Sequence, residues 1–141
     1  MEQTYLLTGA TGFLGRSVVQ LLLLRGCRVA ALVTEKDPLC DTLPEEVVRY
    51  RGDLTDKASM RDFFAGGGNS FCVLHCAGIV SVASRPGEII YRVNVDGTQN
   101  VIDLCRKFGT YDAVLEAACL LSDPVEIFQD LRDYFFRLCP L

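Results

Sequence analysis

Three kinds of segment are missing from this sequence of 141 residues, and each absence excludes a class of protein. It has no basic run, and 14 Lys and Arg against 18 Asp and Glu give a net charge of −4, which argues against nucleic-acid or anionic-membrane partners. Its longest apolar run, 18–24, includes Gln20 and is far shorter than the ~20 residues of a membrane-spanning helix. Glu2 and Gln3 occupy the place of a basic signal-peptide start. We therefore expect a cytoplasmic protein without a membrane partner.

Cysteines are present, but their number and spacing do not indicate a disulfide framework. The seven cysteines are an odd number, and none of them forms a Cys-x-x-Cys pair, so we expect reduced thiols rather than disulfides. Cys72, His75 and Cys76 fall on one predicted strand. Side-chain alternation along a strand sends His75 to the opposite face from the two cysteines. The sequence therefore predicts no metal site.

A turn with three evenly spaced glycines is the most informative feature of the sequence. Gly9, Gly12 and Gly15 follow the apolar residues 5–7 and lead into an apolar helical pattern over 13–25, which Gly26 closes. Gly9 permits a tight turn, Gly12 lets the backbone approach a pyrophosphate, and Gly15 lets the helix pack closely on the sheet. The amides of the helix N-terminus would face the phosphates. Because a strand precedes the turn and a helix follows it, the pattern predicts a dinucleotide-binding turn.

The rest of the chain continues the alternation of strands and helices. The near-continuous apolar run 28–33 predicts a parallel strand covered on both faces, and 47–52 and 70–78 predict two more. Residues 57–64 predict a helix capped by Thr55 or Asp56, and 88–108 carries the apolar stripe of a long helix. Together they predict an α/β fold, a doubly wound parallel sheet with helices on both faces and strand order 3-2-1-4. The cofactor would lie across the carboxyl ends of the strands, where that order reverses.

The residues after the second strand leave the choice between NAD and NADP open. An acidic residue there would hold the ribose 2′-hydroxyl of NAD, whereas a basic one would accommodate the extra phosphate of NADP. The sequence offers Thr34, Glu35 and Lys36. Glu35 could meet a hydroxyl and Lys36 a phosphate, but each could equally be a solvated loop charge. The pattern leans slightly to NADP.

The octet Thr-Gly-Ala-Thr-Gly-Phe-Leu-Gly at 8–15 resembles the glycine motif of the short-chain dehydrogenase/reductase superfamily. The match is to its extended epimerase/dehydratase branch, which includes 3β-hydroxysteroid dehydrogenases and dihydroflavonol reductases. Gly-Asp-Leu-Thr-Asp at 52–56, His-Cys-Ala-Gly at 75–78 and Asn-Val-Asp-Gly-Thr at 94–98 resemble the same branch. The resemblance implies a Rossmann-like NAD(P)-binding domain over 1–109. The parent family transfers hydride at a carbonyl or alcohol centre of a small-molecule substrate.

The resemblance also implies the residues that contact the cofactor. Asp53 would accept a hydrogen bond from the adenine amino group, Leu54 would pack on the ring, and Ala77 and Gly78 would pass beside the nicotinamide ribose. The implied set is Gly9, Thr11, Gly12, Phe13, Leu14, Gly15, Thr34, Lys36, Asp53, Leu54, Cys76, Ala77 and Gly78.

Three further positions, Asn94, Gly97 and His75, belong to the same motifs. Asn94 would be a polar support beneath the active site, and Gly97 would allow close packing against a neighbouring element. The resemblance assigns no role to His75, which as a general base would need an orienting partner that the sequence does not show.

The tail, 110–141, departs from the family pattern. Relatives continue with a strand ending in a catalytic Ser or Thr and with a Tyr-x-x-x-Lys pair, whose Lys lowers the Tyr pKa from its ordinary value near 10. None of the five tyrosines here has a lysine four residues later. Residues 113–121 could form a fifth strand with Ser122 at its end as a weak candidate for the hydroxyl, and 125–138 a terminal helix.

Two functional hypotheses follow. The chain is the cofactor-binding part of an NAD(P)-dependent oxidoreductase or epimerase, or it is a catalytically silent dinucleotide-binding fragment. We expect that the substrate-binding half was lost by natural truncation or by a shifted reading frame after about residue 109. Steroids, flavonoid-type ketones and nucleotide sugars stay open as substrates. Homo-oligomer formation also stays open, because relatives pair through the helix corresponding to 88–108.

Overall fold

The computed structural model describes residues 3–79, 87–108 and 111–116. Within these ranges there are five strands and four helices, with a π-helical segment, Arg92–Asp96, between the last two helices. Short 3₁₀ turns occur at Cys40–Thr42 and Lys57–Met60. The main elements are β1 (Thr4–Thr8), α1 (Phe13–Leu24), β2 (Arg28–Val33), β3 (Val48–Arg51), α2 (Arg61–Ala65), β4 (Phe71–His75), α3 (Glu88–Tyr91), α4 (Gly97–Phe108) and β5 (Tyr111–Glu116).

The strands form one parallel sheet in the order β3-β2-β1-β4-β5. From β1 the chain moves outward to β2 and β3, then returns to β4 on the other side of β1, so the order reverses between β1 and β4. Tyr5 is in register with Val29 on one side and Cys72 on the other. The predicted order 3-2-1-4 is confirmed. A fifth strand, expected over 113–121, is present at Tyr111–Glu116. Positions 117–121 and the terminal helix predicted over 125–138 lie outside the described residues.

The central strands are buried and largely apolar, with Thr4, Thr8 and His75 as buried polar residues, because helices or loops cover both faces of the sheet. Tyr5 and Leu7 point to a core formed with α1 and the β2–β3 connection, while Leu6 points to a second core formed with α2 and α4. The strand alternation also separates Cys72, in the α1 core, from His75, which bonds to Thr98 on α4. The prediction that these two side chains occupy opposite faces is confirmed.

The first helix ends where the glycine signal predicts. α1 ends at Leu24, one residue before the predicted end, and the Arg25 amide donates to the Leu22 carbonyl. Gly26 follows with φ of +71°, a left-handed conformation that glycine adopts without steric cost.

The element predicted over 57–64 differs in detail. It is a 3₁₀ turn followed by the short helix α2, and Asp56 precedes the turn without making a side-chain capping bond. The Asp53 carboxylate instead accepts from the Thr55 amide at 2.8 Å and from the Thr55 hydroxyl at 2.7 Å. Asp56 therefore occupies the predicted N-cap position, but neither its side chain nor that of Thr55 makes the predicted capping bond, and the Thr55 hydroxyl is bonded to Asp53 instead.

The predicted helix over 88–108 is a continuous helical run with the π segment inside it, and we call this run the long helix. A π segment is rare and adds one residue to a turn. Asn94 lies within it, and Gly97 begins α4. A Cβ on Gly97 would lie 3.0 Å from the Leu54 Cβ, which confirms the predicted close packing. Among the described residues, no helix has the length and apolar character needed to cross a membrane.

Candidate functional site

The glycine turn joins β1 to α1 with almost no free space. Gly9 has φ of +71°, and a Cβ there would lie 2.6 Å from the Ala77 backbone nitrogen. A Cβ on Gly15 would lie only 1.9 Å from the Gly9 carbonyl oxygen. Since neither approach is sterically tolerable for a larger residue, these glycines hold β1, β4 and α1 in contact.

Gly12 occupies a different environment in the same turn. Its amide donates to the Gly9 carbonyl at 3.1 Å, and a Cβ there would meet only that carbonyl oxygen, at 3.3 Å. Gly12 also precedes α1, whose first turn contains no acidic residue. The positive end of the helix dipole is thus not offset by a carboxylate of that turn, an arrangement that favours an anion such as a pyrophosphate.

An open cleft of about 270 Å³ lies at the carboxyl ends of β1, β2 and β4. It coincides with the point where the strand order reverses, the location at which doubly wound sheets bind ligands. Eight residues of the implied cofactor set line it: Gly9, Thr11, Gly12, Thr34, Leu54, Cys76, Ala77 and Gly78.

Five residues of the implied set do not line the cleft. Phe13 is 82% exposed and Leu14 is buried in the α1 core. Gly15 lies against the Gly9 backbone, and the Asp53 carboxylate is bonded to Thr55. Lys36 is exposed. Ser122 lies outside the described residues, so its predicted role stays a prediction.

Sequence reasoning missed Asp37, together with Thr8 and Leu32, which also line the cleft. The Asp37 carboxylate accepts from the Thr11 hydroxyl at 2.7 Å and from the Leu39 amide at 2.9 Å. These bonds tie the loop after β2 to the glycine turn. An acidic residue directly after Lys36 was the available signal, because a ribose-binding carboxylate follows the glycines by roughly 20 residues.

Buried polar contacts support the β4 side of the cleft. The Asn94 side chain accepts from the Ile79 amide and donates to the Ile79 carbonyl, both at 2.8 Å. His75 is 2% exposed, and its ring nitrogens lie 2.6 Å from the Thr8 hydroxyl and 2.9 Å from the Thr98 hydroxyl. The orienting partners that the sequence did not show for His75 therefore exist, on β1 and on α4.

Comparison with known proteins agrees with this geometry. Residues 5–130 match the model of the NAD dependent epimerase/dehydratase family. The chain belongs to this family. Among members with curated functions, it is 41% identical over 113 residues to 3 beta-hydroxysteroid dehydrogenase type 7 of Rattus norvegicus, covering 75% of this chain and 32% of the relative.

More distant relatives extend the match within the epimerase/dehydratase family. The human sterol-4-alpha-carboxylate 3-dehydrogenase, decarboxylating, is 30% identical over 134 residues, which cover 94% of this chain and 34% of the relative. The solved UDP-glucose 4-epimerase of Thermus thermophilus in complex with NAD superposes with a TM-score of 0.69 at 22% identity, over 95% of this chain and 51% of that one. This similarity shows the Rossmann-like fold. The chain spans about a third of the length of its curated relatives.

Proposed function

We propose that this chain binds a nicotinamide adenine dinucleotide in the strand-end cleft. The proposal rests on one observation, that the glycine turn, the N-terminus of α1 and the ends of β2 and β4 line a single cleft where the strand order reverses. A pyrophosphate would lie at Gly9–Gly12, because the backbone there is bare and the adjacent helix end is electropositive. When bound, the nicotinamide accepts or supplies a hydride.

The two halves of the dinucleotide would lie on opposite sides of β1. On the β2 side, Leu32 and Leu54 offer apolar contacts to a base, and Thr34 and Asp37 offer polar groups to a ribose. On the β4 side, the small residues Cys76, Ala77 and Gly78 leave room for the second nucleotide. This division follows from the doubly wound topology, in which each half of the sheet serves one nucleotide.

The choice of cofactor depends on which charge faces the ribose. The sequence leans slightly to NADP through Lys36, but Lys36 does not line the cleft, whereas Asp37 does. A carboxylate fixed there by Thr11 and Leu39 would repel a 2′-phosphate and could accept from a 2′-hydroxyl. We infer that NAD is preferred.

Calorimetric titration with NADH and NADPH tests both the binding and this preference. We expect wild type to bind NADH more tightly than NADPH. Asp37→Asn should reduce this preference about tenfold by strengthening NADPH binding, because a tenfold change corresponds to ~1.4 kcal/mol of relieved repulsion between the carboxylate and the 2′-phosphate. Asp41→Asn, an exposed acid in the same connection, is the matched control and should change neither affinity. Tighter NADPH binding by wild type, lost in Lys36→Ala, would contradict the inference and support NADP.

Two hypotheses about catalysis differ in whether this chain oxidises a steroid-like substrate or only binds the cofactor. The relatives' names describe dehydrogenases acting on 3-hydroxysteroids and sterols, which supports a steroid-like alcohol or ketone as the parent substrate. Against activity of this chain, none of its tyrosines has the lysine four residues on that would lower a phenol pKa. We therefore propose that this chain alone binds cofactor without turnover. Oxidation of a 3β-hydroxysteroid by the purified chain with NAD would contradict this.

A further inference from the structure

The hydrogen bonds around His75 form one chain, in which each group donates to the next from the Ala77 amide to the Asn94 carbonyl. The Thr98 hydroxyl donates to the Asn94 carbonyl at 2.7 Å, so it must accept from His75, whose Nε2 therefore carries the proton. Burial of the ring favours the neutral imidazole, whose Nδ1 is then an acceptor for the Thr8 hydroxyl 2.6 Å away. Thr8 in turn accepts from the Ala77 amide at 3.3 Å. Each hydroxyl hydrogen in the chain of bonds has one acceptor.

This chain of bonds fixes both ends of the strand-end segment 76–78. Before the segment, His75 is bonded to Thr98. After it, the Ile79 backbone is held by two bonds to the Asn94 side chain. Asn94 and Thr98 lie four residues apart, on adjacent turns of the long helix, and are themselves joined by the hydroxyl-to-carbonyl bond. The π segment that contains Asn94 is therefore part of the same arrangement.

The fixed segment has little room to move. Its residues Cys76, Ala77 and Gly78 line the β4 side of the cleft, and Ala77 lies directly against Gly9. A shift of Ala77 toward β1 would meet the Gly9 backbone, and a shift away would break its bond to Thr8. The bonds of Ala77 to β1, together with those of His75 and Ile79 to the long helix, thus determine the shape of this side of the cleft.

We propose that His75 is a positioning residue for the nicotinamide half of the dinucleotide. Through its protonated Nε2 it holds Thr98 and the long helix at the spacing that keeps residues 76–78 in place, and through Nδ1 it aligns Thr8 with the Ala77 amide. His75 itself does not line the cleft, so it acts through these neighbours. The inference rests on the proposed function, since it assigns the β4 side of the cleft to the nicotinamide.

The test compares the affinities for NADH and for ADP, which contains only the adenosine and phosphate groups. In Thr98→Val and His75→Asn, which remove the bond to Thr98, we expect NADH to bind about tenfold more weakly, as is typical for loss of a buried hydrogen bond. ADP affinity should change less than about twofold, because the β2 side is intact. A uniformly destabilised fold would not separate the two ligands.

Matched variants control for loss of stability. Thr98→Ser keeps the hydroxyl, and His75→Gln places an amide N–H near the position of Nε2, so both should restore the NADH-to-ADP affinity ratio toward wild type. Val101→Ala, a fully buried change on the same helix and outside the cleft, should lower the melting temperature without altering that ratio. Equal losses of NADH and ADP affinity in Thr98→Val would overturn the proposal.

Amide hydrogen exchange in the absence of ligand separates this inference from the proposed function. If His75 positions the segment, Thr98→Val should exchange faster at Ala77 and Ile79 while the β1 amides of Leu6 and Leu7 stay protected. Unchanged exchange at Ala77 and Ile79 would overturn the positioning role even if cofactor binds. If wild type binds neither NADH nor ADP but Thr98→Val still exchanges faster at Ala77 and Ile79, the positioning of the segment would be supported and the cofactor assignment refuted.

Discussion

Gly12 and Gly15 lie three positions apart in the same turn, but the lack of a side chain has a different consequence at each. At Gly12 a Cβ would touch only the Gly9 carbonyl oxygen, at 3.3 Å, and would stand at the cleft. At Gly15 a Cβ would overlap the Gly9 carbonyl at 1.9 Å, away from the cleft lining. The first glycine leaves room for a ligand, and the second leaves room for the fold.

Alanine substitution should separate these two roles. Gly12→Ala should unfold near the wild-type temperature but bind NADH at least about tenfold more weakly, because the methyl group meets the phosphates. Gly15→Ala should lose about 1–3 kcal/mol of stability from overpacking, although alanine favours helix by about 1 kcal/mol over glycine. Thermal unfolding and NADH titration of both variants give the answer. A Gly15→Ala protein that unfolds like wild type would contradict the assigned packing role.

Local geometry predicts individual site residues only within one turn, whereas distant cleft residues such as Leu54 and Ala77 could be named only through the family resemblance. The glycine roles follow from turn geometry, so the sequence indicated them directly. Asp37 was missed because the turn in which its amide bonds to the Thr34 carbonyl decides which loop charge faces the cleft. The partners of His75, Thr8 and Thr98, lie 67 and 23 residues away in sequence, and no local pattern links them.

Among the helices, α4 carries a thiol with a shifted pKa. Cys105 is fully buried between α4 and the sheet, and burial raises the pKa of its thiol from 9.0 to about 11 because the thiolate is poorly solvated there. The unfolded chain therefore loses this proton at lower pH than the folded chain. The corresponding stability is fully present below about pH 9 and is lost as the pH rises through about 11.

Urea unfolding between pH 9 and 11 tests this effect of burial. We expect the unfolding free energy of wild type to fall more steeply over this range than that of Cys105→Ala, which has no thiol to ionise at this position. The comparison removes the contributions of tyrosines and lysines, which both proteins share. Parallel pH profiles would contradict a raised thiol pKa.

Elements with strong hydrophobic periodicity were predicted well, and irregular ones were not. β2 has the predicted bounds and α1 differs by one residue, because a buried apolar pattern and a glycine stop determine both. The π segment could not be predicted because no local propensity marks it. It occurs together with tertiary hydrogen bonds between Asn94 and Ile79, which lie 15 residues apart. The signals that this part of the helix has another role were the poor helix formers Asn94 and Gly97 and the resemblance of 94–98 to the family motif.

At the scale of the whole molecule, the parallel sheet determines where function can reside. The order places β2 and β3 on one side of β1 and β4 on the other, as the sequence predicts, and it brings the turn after β1 beside the end of β4. Both faces of the central strands are covered by separate cores. β5 pairs with β4 although it lies after residue 109, where the sequence motifs predict the family pattern to end. The sheet continues past that point, and the family match continues to residue 130. Sequence patterns could not give its bounds, because its apolar residues also suit other structures.

Thermal unfolding of the purified chain, alone and with NADH, tests the central claim that this chain folds into a sheet with a working dinucleotide cleft. We expect one cooperative transition whose midpoint temperature rises with NADH. A ligand at a concentration of ~100 times its Kd stabilises the folded state by about 2.7 kcal/mol. Gly12→Ala should unfold cooperatively with a smaller shift at the same NADH concentration. A cooperative transition that neither NADH nor NADPH moves would contradict the assignment of the cleft, and the absence of a cooperative transition would contradict the fold.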